Sequence, residues 1–137
     1  MMQQSLAPGL GGTTRFTVDR ERTIDFMGEK ARVYATPMLV RDVEIACRDL
    51  LRPHLDAGQD SVGTRIELDH LAPTLLGMDV ELSVRIAEVK GRAVTFEVEG
   101  RDGVDTICRG RHNRFIVDVA ATEARLAAKA AKARTAA

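Results

Sequence analysis

The chain has 137 residues, of which 45% are hydrophobic and 29% are charged, a balance that fits a single globular domain with a sizeable core. Its 20 Lys and Arg residues balance its 20 Asp and Glu residues, so no overall charge attracts it to nucleic acid or to a membrane surface. Aromatic residues make up only 4% of the chain, which argues against a base-stacking surface.

Residues 1–13 contain several Gly and Gln residues and are expected to form a flexible segment. This start has neither the basic residues nor the apolar stretch of a signal peptide, and no part of the chain has the apolar length of a transmembrane helix. We therefore expect a cytoplasmic protein. A first strand is predicted at Arg15–Asp19, followed by a connecting loop over 21–33.

The longest predicted element is one helix over residues 34–53. Thr36 is a suitable N-cap, Pro37 fits the first helical position because its missing N–H is not needed there, and Pro53 ends the helix. Apolar residues recur at the spacing of one buried face, and Asp42 is among the charged residues assigned to outward positions. The predicted buried face comprises Leu39, Val40, Val43, Ala46, Cys47, Leu50 and Leu51.

After the helix the hydrophobic period changes to two, which predicts four strands joined mostly by tight turns. The first places His70 on one face with Thr64, Ile66 and Leu68, and the last runs over residues 104–117. One long amphipathic helix is available to cover the sheet, so we predict a curved antiparallel sheet wrapped around residues 37–52, an α+β fold. The Ala-, Lys- and Arg-rich residues 121–137 are expected to form a tail or a surface helix.

Two side chains in the predicted core could carry chemistry. Glu44 interrupts the apolar stripe of the helix: its carboxylate either reaches solvent at the edge of the face or is partly desolvated and suited to act as a base or nucleophile. His70 is either a satisfied core histidine or the partner of Glu44 in an acid–base pair, because both are predicted to point into the same interior.

Two further positions have both a structural and a functional interpretation. Thr36 is explained by its N-cap position, yet a helix N-terminus also offers N–H groups to an oxyanion. Gly63 is either an ordinary strand glycine or a point where a backbone N–H approaches a ligand closely.

The last strand carries a polar cluster that is either a solvated face or a rim for phosphate groups. It contains Arg109, Arg111, His112, Asn113 and Arg114. The two cysteines and three histidines show no zinc spacing, so Cys47 and Cys108 are interpreted as buried small hydrophobes and no metal site is predicted.

Several of these residues lie in stretches that resemble the fluoroacetyl-CoA thioesterase type of the hotdog-fold superfamily. The resemblance spans about residues 30–118. It rests on Ala35-Thr36-Pro37-Met38, Glu44-Ile45-Ala46-Cys47, Val62-Gly63-Thr64, Asp69-His70, Asp102-Gly103-Val104-Asp105 and Gly110-Arg111-His112-Asn113-Arg114.

The resemblance implies a homodimeric acyl-CoA thioesterase without metal or prosthetic group, coenzyme A being part of the substrate. It places the catalytic threonine, glutamate and histidine of the family on Thr36, Glu44 and His70, and the glycine of its thioester-binding position on Gly63. The segment of residues 25–34 is shorter than the Phe-rich lid of the family and contains fewer aromatic residues. Selectivity for a fluorinated acyl group is therefore not carried over.

A distance estimate limits how these residues meet. Thr36 and Glu44 are about 12 Å apart along an unbroken helix, too far for a direct hydrogen bond. The chain is irregular near Thr36, or the substrate bridges the two, or the site is completed across a dimer interface, which we favour because curved sheets pair to cover their edges.

These observations predict a hotdog domain over residues 14–120 that hydrolyses a small or medium acyl-CoA as a homodimer, with a tetramer as a further assembly. Arg109, Arg111 and Arg114 are predicted contacts for the CoA phosphates. The alternatives are a non-catalytic acyl-CoA or small-ligand binding protein and an enoyl-CoA hydratase or dehydratase. We expect no nucleic acid or membrane partner.

Overall fold

Alternation of apolar and polar residues produces five antiparallel strands in the computed structural model, which describes residues 5–136. They are β1 (Gly11–Thr17), β2 (Gln59–His70), β3 (Asp79–Lys90), β4 (Ala93–Arg101) and β5 (Thr106–Asp118). The sheet order is β1-β3-β4-β5-β2, so β1 and β2 form its two edges.

The long helix α1 (Thr36–Leu51) packs on one face of this sheet. Its buried apolar residues are Leu39, Val43, Ala46, Cys47 and Leu51. They join one core with inward-facing strand residues that include Leu82, Ile86 and Phe96. The predicted architecture, a sheet around one long helix, is confirmed. Both cysteines are buried and free, also as predicted.

The start of α1 differs from the prediction in a way that matters for function. Ala35 is the N-cap, and its carbonyl accepts hydrogen bonds from the N–H groups of Met38 and Leu39. Thr36 is the first helical residue, so its side chain is not used as a cap. Its hydroxyl is therefore free to reach another partner.

A second difference concerns Asp42, which was assigned to the outward face but is buried. The partners that make this burial possible come from outside the helix: the Tyr34 hydroxyl donates to Asp42, and so does the Arg22 guanidinium, at 2.9 Å. A periodicity pattern within one helix does not reveal partners of this kind.

The described part of the N-terminal segment is tied to the sheet. Leu6 lies in the core, the Gly9 N–H donates to the Ile86 carbonyl at 2.8 Å, and β1 begins at Gly11, before the predicted domain start. The expectation of flexibility therefore does not fit residues 6–13, and residues 1–4 lie outside the described part of the chain.

The connection from β1 to α1 folds into a narrow stem whose tip is exposed. The Ile24 N–H donates to the Val33 carbonyl at 3.0 Å, and Thr23 and Tyr34 form a bridge. The Tyr34 N–H also donates to the Thr74 carbonyl at 2.8 Å, so the stem lies beside the segment that follows β2. This contact places Tyr34 and the start of α1 next to the end of β2.

The chain ends in a second helix, α2 (Val119–Ala136), in which no residue is buried. This agrees with the expectation of a surface helix. No helix within residues 5–136 is long and apolar enough to cross a membrane.

Candidate active site

Thr36 and His70 meet at the N-terminal end of α1. His70 is the last residue of β2 and lies opposite Cys108, a residue of the buried sheet face. Its Nδ1 atom is 2.8 Å from the Thr36 Oγ1 atom, a hydrogen-bond distance. A hydroxyl paired with an imidazole is the arrangement of a nucleophile and its base.

The environment of His70 favours the neutral imidazole. Burial lowers the pKa of His70, and among the described residues of the protomer no carboxylate opposes this effect. A neutral imidazole can accept the Thr36 proton through Nδ1, whereas a protonated one cannot. The pair is therefore suited to base-assisted attack at neutral pH.

An open cleft of about 330 Å³ lies directly beside this pair. No charged residue lines it. Besides Thr36 and His70 the lining residues are Ile24, Val33, Tyr34, Leu71, Ala72 and Pro73. An uncharged, largely apolar group fits such a cleft.

Within one protomer, Glu44 does not pair with His70. Its Oε1 atom lies 3.8 Å from the Arg114 Nη1 atom and 4.0 Å from the His112 Nε2 atom. The side chain is 44% exposed in the single protomer, so it lies at the edge of the helix face. The candidate residues thus form two groups, Thr36 with His70 and Glu44 with Arg114 and His112.

Arg114 is held firmly inside the second group. It is 5% exposed, and it donates from Nε to the Ser61 hydroxyl and from Nη2 to the Ser61 carbonyl, both at 2.8 Å. This position does not fit the predicted contact with CoA phosphates. Arg114 instead places a fixed positive charge 3.8 Å from the Glu44 carboxylate.

His112 completes the group. Its Nδ1 atom is 2.8 Å from the Arg65 carbonyl oxygen, which can only accept, so Nδ1 carries the proton. Nε2 is then free to accept from Arg114 Nη1 at 3.1 Å. Burial, reinforced by the Arg114 charge, lowers the pKa of His112 and keeps the imidazole neutral.

Gly63 has a steric reason to be glycine. A Cβ atom at this position would overlap with Glu44 Oε1 and would lie 3.1 Å from His112 Cε1. The missing side chain therefore makes room for the carboxylate. The predicted use of the Gly63 N–H toward a ligand remains a prediction.

Arg109 and Arg111 are exposed side chains on the outer face of the sheet. Arg109 lies 4.0 Å from Glu99, and Arg111 stands opposite Glu67 and Glu97 in the strand register. Acidic neighbours lower the positive potential of this face. A contact between these residues and CoA phosphates remains a prediction.

Sequence reasoning undervalued His112 and assigned no role to Ser61. A signal was present, because β5 alternates with period two and buries Cys108, His112, Arg114 and Ile116 on one face. Two inward-facing polar residues of this kind require partners. Arg114 stands opposite Gly63 and His112 opposite Ile66 in the register, and Glu44 lies within 4.0 Å of both side chains.

A second cleft lies elsewhere and offers less chemistry. It measures about 490 Å³ and lies beside β1, β3 and the end of β4. Its charged groups are already paired, with Arg15 2.9 Å from Glu81 and Thr17 donating to Asp79 at 2.6 Å. Within residues 5–136, no cluster of three or more His, Cys, Asp or Glu side chains is placed to hold a metal ion.

The region of the chain that matches known proteins contains all of the candidate site residues. The family model of fluoroacetyl-CoA-specific thioesterases matches residues 18–120. A fluoroacetyl-CoA thioesterase from Streptantibioticus cattleyicolor is 31% identical over 123 residues, which cover 85% of this chain and 88% of that protein.

Solved structures of thioesterases superpose closely on this chain. One of the fluoroacetyl-CoA thioesterase FlK superposes with a TM-score of 0.84 at 30% identity, covering 90% of this chain and 97% of that one. A Thermus thermophilus hypothetical protein, a thioesterase superfamily member, superposes with a TM-score of 0.88 at 28% identity, covering 97% and 99%. These similarities confirm the hotdog fold.

Proposed function

Because the chain belongs to the fluoroacetyl-CoA-specific thioesterase family and is thereby a thioester hydrolase, we propose that it hydrolyses the thioester of a small or medium, uncharged acyl-CoA. The observation that carries the choice of site is the 2.8 Å contact between Thr36 Oγ1 and His70 Nδ1 at the mouth of an uncharged cleft. The acyl group occupies this cleft, and coenzyme A takes part only as a portion of the substrate.

In the first half of the proposed reaction, His70 accepts the Thr36 proton while the hydroxyl oxygen attacks the thioester carbonyl. The bond from carbon to sulfur breaks, an acyl ester forms on Thr36, and the CoA thiolate leaves with the proton from His70. In the second half, the Glu44 carboxylate takes a proton from water as the water oxygen attacks the ester carbonyl carbon. The bond from this carbon to the Thr36 oxygen breaks, Glu44 returns the proton to Thr36, and the free carboxylic acid leaves.

The polarising group for the carbonyl is better sought at Gly63 than at the start of α1. Pro37 has no N–H, and the Met38 N–H already donates to Ala35. Gly63 lies in an edge strand, whose free side leaves backbone N–H groups without partners in the single protomer. This favours the Gly63 N–H as the donor to the oxyanion.

A homodimer brings the two groups of residues together. If β2 pairs with its copy in antiparallel fashion about a two-fold axis between Ile66 and Glu67, Gly63 of one protomer faces His70 of its partner, because both lie equally far from that midpoint. Glu44 is adjacent to Gly63, and Thr36 is adjacent to His70. Each complete site would then draw Thr36 and His70 from one protomer and Glu44 from the other.

The exposed surface supports this assembly. Ile66 is 36% exposed although it lies on the helix side of the sheet, and Ile45, next to Glu44 on α1, is 47% exposed. Both flank the free edge of β2, where unpaired backbone groups invite another strand. A second copy of the chain would cover the apolar side chains and the edge together.

The function is tested by thiol release from acyl-CoAs of increasing chain length. The protein should release CoA from short and medium uncharged acyl groups, and Thr36→Ala and Glu44→Gln should each lower kcat by about 100-fold or more. Glu97→Gln, a carboxylate paired with Arg85 on the outer face, serves as the matched control and should keep full activity.

Two outcomes would contradict the proposal. Saturable acyl-CoA binding without thiol release would identify a binding protein, and conversion of enoyl-CoA without free thiol would identify a hydratase. In the Glu44→Gln protein, mass spectrometry should detect an acyl group on Thr36, because the second step is slowed more than the first. An acyl group on another residue would remove Thr36 as the nucleophile.

A further inference from the structure

The Tyr34 side chain lies between the candidate site and a buried charged cluster. It is 2% exposed, and its ring meets the His70 imidazole edge to face, with centroids 6.2 Å apart and planes at 78°. On another side it packs against Phe16 in the same manner, at 6.0 Å and 71°. Its ring is therefore confined by neighbours that include the catalytic imidazole.

The phenol is anchored by a chain of polar contacts. The Tyr34 hydroxyl donates to the buried Asp42 carboxylate. Asp42 also accepts from Arg22 Nε at 2.9 Å, and Arg22 donates in turn to Asp19 at 2.7 Å. This network joins α1 to the β1–α1 connection. It anchors the Tyr34 hydroxyl, while Phe16 and His70 contact the ring.

His70 needs such a support because polar contacts alone do not fix its ring. Nδ1 has Thr36 as its partner, whereas Nε2 is buried and has no hydrogen-bond partner among the described residues. A catalytic histidine is usually oriented by a hydrogen bond on its second nitrogen. Here that bond is missing, and a ring edge packs against the imidazole instead.

We propose that Tyr34 is a positioning residue that holds the His70 imidazole against the Thr36 hydroxyl and keeps water away from its Nε2 atom. The catalytic consequence rests on the proposed thioesterase function, whereas the placement of His70 does not. Tyr34 takes no part in proton transfer, because burial and the Asp42 hydrogen bond raise the pKa of its phenol far above neutral pH.

Within one protomer, the groups that titrate around His70 stay neutral near pH 7. They are the Tyr34 phenol and the Cys108 thiol, which stands opposite His70 in the register and whose pKa burial raises to about 11. The pKa of His70 is lowered by burial alone. Admitting water to Nε2 should therefore raise this pKa and protonate more of the base at a given pH.

Imidazole NMR titration tests this placement without relying on activity. The chain has three histidines, so the His70 signals can be assigned by comparison with His70→Gln. In Tyr34→Leu the pKa of His70 should rise toward its ordinary value, whereas Tyr34→Phe keeps the ring and should leave it unchanged. Phe96→Leu is the matched control, because Phe96 stacks on His112 at 6.4 Å and should affect only that histidine.

Kinetics then separate positioning from folding. Tyr34→Leu should lower kcat by up to about 100-fold with little change in KM. The acid limb of its pH–rate profile should move to higher pH. Tyr34→Phe loses the Asp42 hydrogen bond and should lower Tm while keeping most of kcat and the wild-type pH profile. Equal loss of kcat in both variants would assign the effect to the hydroxyl and overturn the proposal.

A measurement on the unaltered protein covers the case in which Tyr34→Leu does not fold. Tyr34 is the only tyrosine, so its ring signals are unambiguous, and they should show nuclear Overhauser contacts to the His70 ring. Absence of these contacts, or an unchanged pKa of His70 in folded Tyr34→Leu, would refute the proposal. Either result is readable even if no acyl-CoA is hydrolysed.

Discussion

Gly63 shows how one missing side chain sets the position of a functional group. A Cβ atom there would collide with the Glu44 carboxylate, which is the flexible end of a side chain and can move aside. Gly63→Ala should therefore cost less than about 3 kcal/mol of stability. It should nevertheless lower kcat by up to about 100-fold, because the carboxylate leaves its place beside Arg114.

Thermal unfolding and thiol release, measured together, check this prediction. Gly12→Ala is the matched control: it also lies in a strand, and its added Cβ would meet only Leu50 Cδ1 at an ordinary 3.4 Å. It should leave kcat unchanged. Full activity in Gly63→Ala would show that Glu44 does not need its observed position.

Half-buried His70 and buried His112 predict how stability depends on pH. Burial lowers the pKa of both His70 and His112 in the folded protein, so the unfolded chain binds more protons as pH falls below about 6.5. Their contribution to stability is complete above that pH and is lost as pH falls toward the folded-state pKa values. Tm should therefore decrease over this window.

Differential scanning calorimetry at several pH values tests this sign. His112→Gln should be less stable at pH 7.5, because it disturbs the contacts to Arg65 and Arg114, yet its Tm should fall less steeply on acidification. A slope equal to that of the unaltered protein would show that His112 is not a source of the effect.

At the scale of elements, helix α1 shows what periodicity can and cannot predict. Pro37 and Pro53 marked its ends, and spacing identified its five buried apolar residues, because burial against a sheet imposes the 3.6-residue period. It misplaced Asp42, whose partners Tyr34 and Arg22 lie in the preceding connection. Burial of a charge depends on tertiary partners, which a helical pattern does not contain.

The same limit applies to the site. The strand pattern correctly placed His70 on the helix side of β2, but it paired His70 with Glu44 because both faced the interior. The register shows why the two do not meet within one protomer: His70 lies opposite Cys108, whereas Gly63, beside Glu44, lies opposite Arg114. Alternation of residues predicts which face of the sheet a side chain lies on. Which residues it lies beside depends on how the strands pair.

The C-terminal helix α2 should be dispensable for folding, because none of its residues is buried. A chain ending at Ala121 should lose less than about 1 kcal/mol of stability and should keep its thioesterase activity. The comparison is made by thermal unfolding and thiol release. A large loss of Tm would mean that the helix covers a surface in the assembled protein.

The N-terminal segment provides the opposite case. Leu6 is 7% exposed and belongs to the core, so Leu6→Ala should cost about 2 kcal/mol or more despite its place near the chain end. A loss of stability in Leu6→Ala alongside an unaffected truncation of α2 would separate the packed end of the chain from the exposed one.

At the scale of the whole molecule, the sheet leaves its functional residues divided. Thr36 and His70 lie at one end of β2, and Glu44 lies beside its other half. The free edge of β2 is the surface through which a two-fold axis would unite them. We therefore propose that each catalytic site is assembled from two protomers.

Subunit complementation tests this claim most directly. Thr36→Ala and Glu44→Gln, each inactive alone, are mixed and allowed to exchange subunits, and thiol release is measured. Half of the dimers should be mixed, and one of their two sites should be intact, so about a quarter of the unaltered activity should return. If dimers exchange subunits and no activity returns, each site lies within one protomer, and a site shared between protomers is refuted.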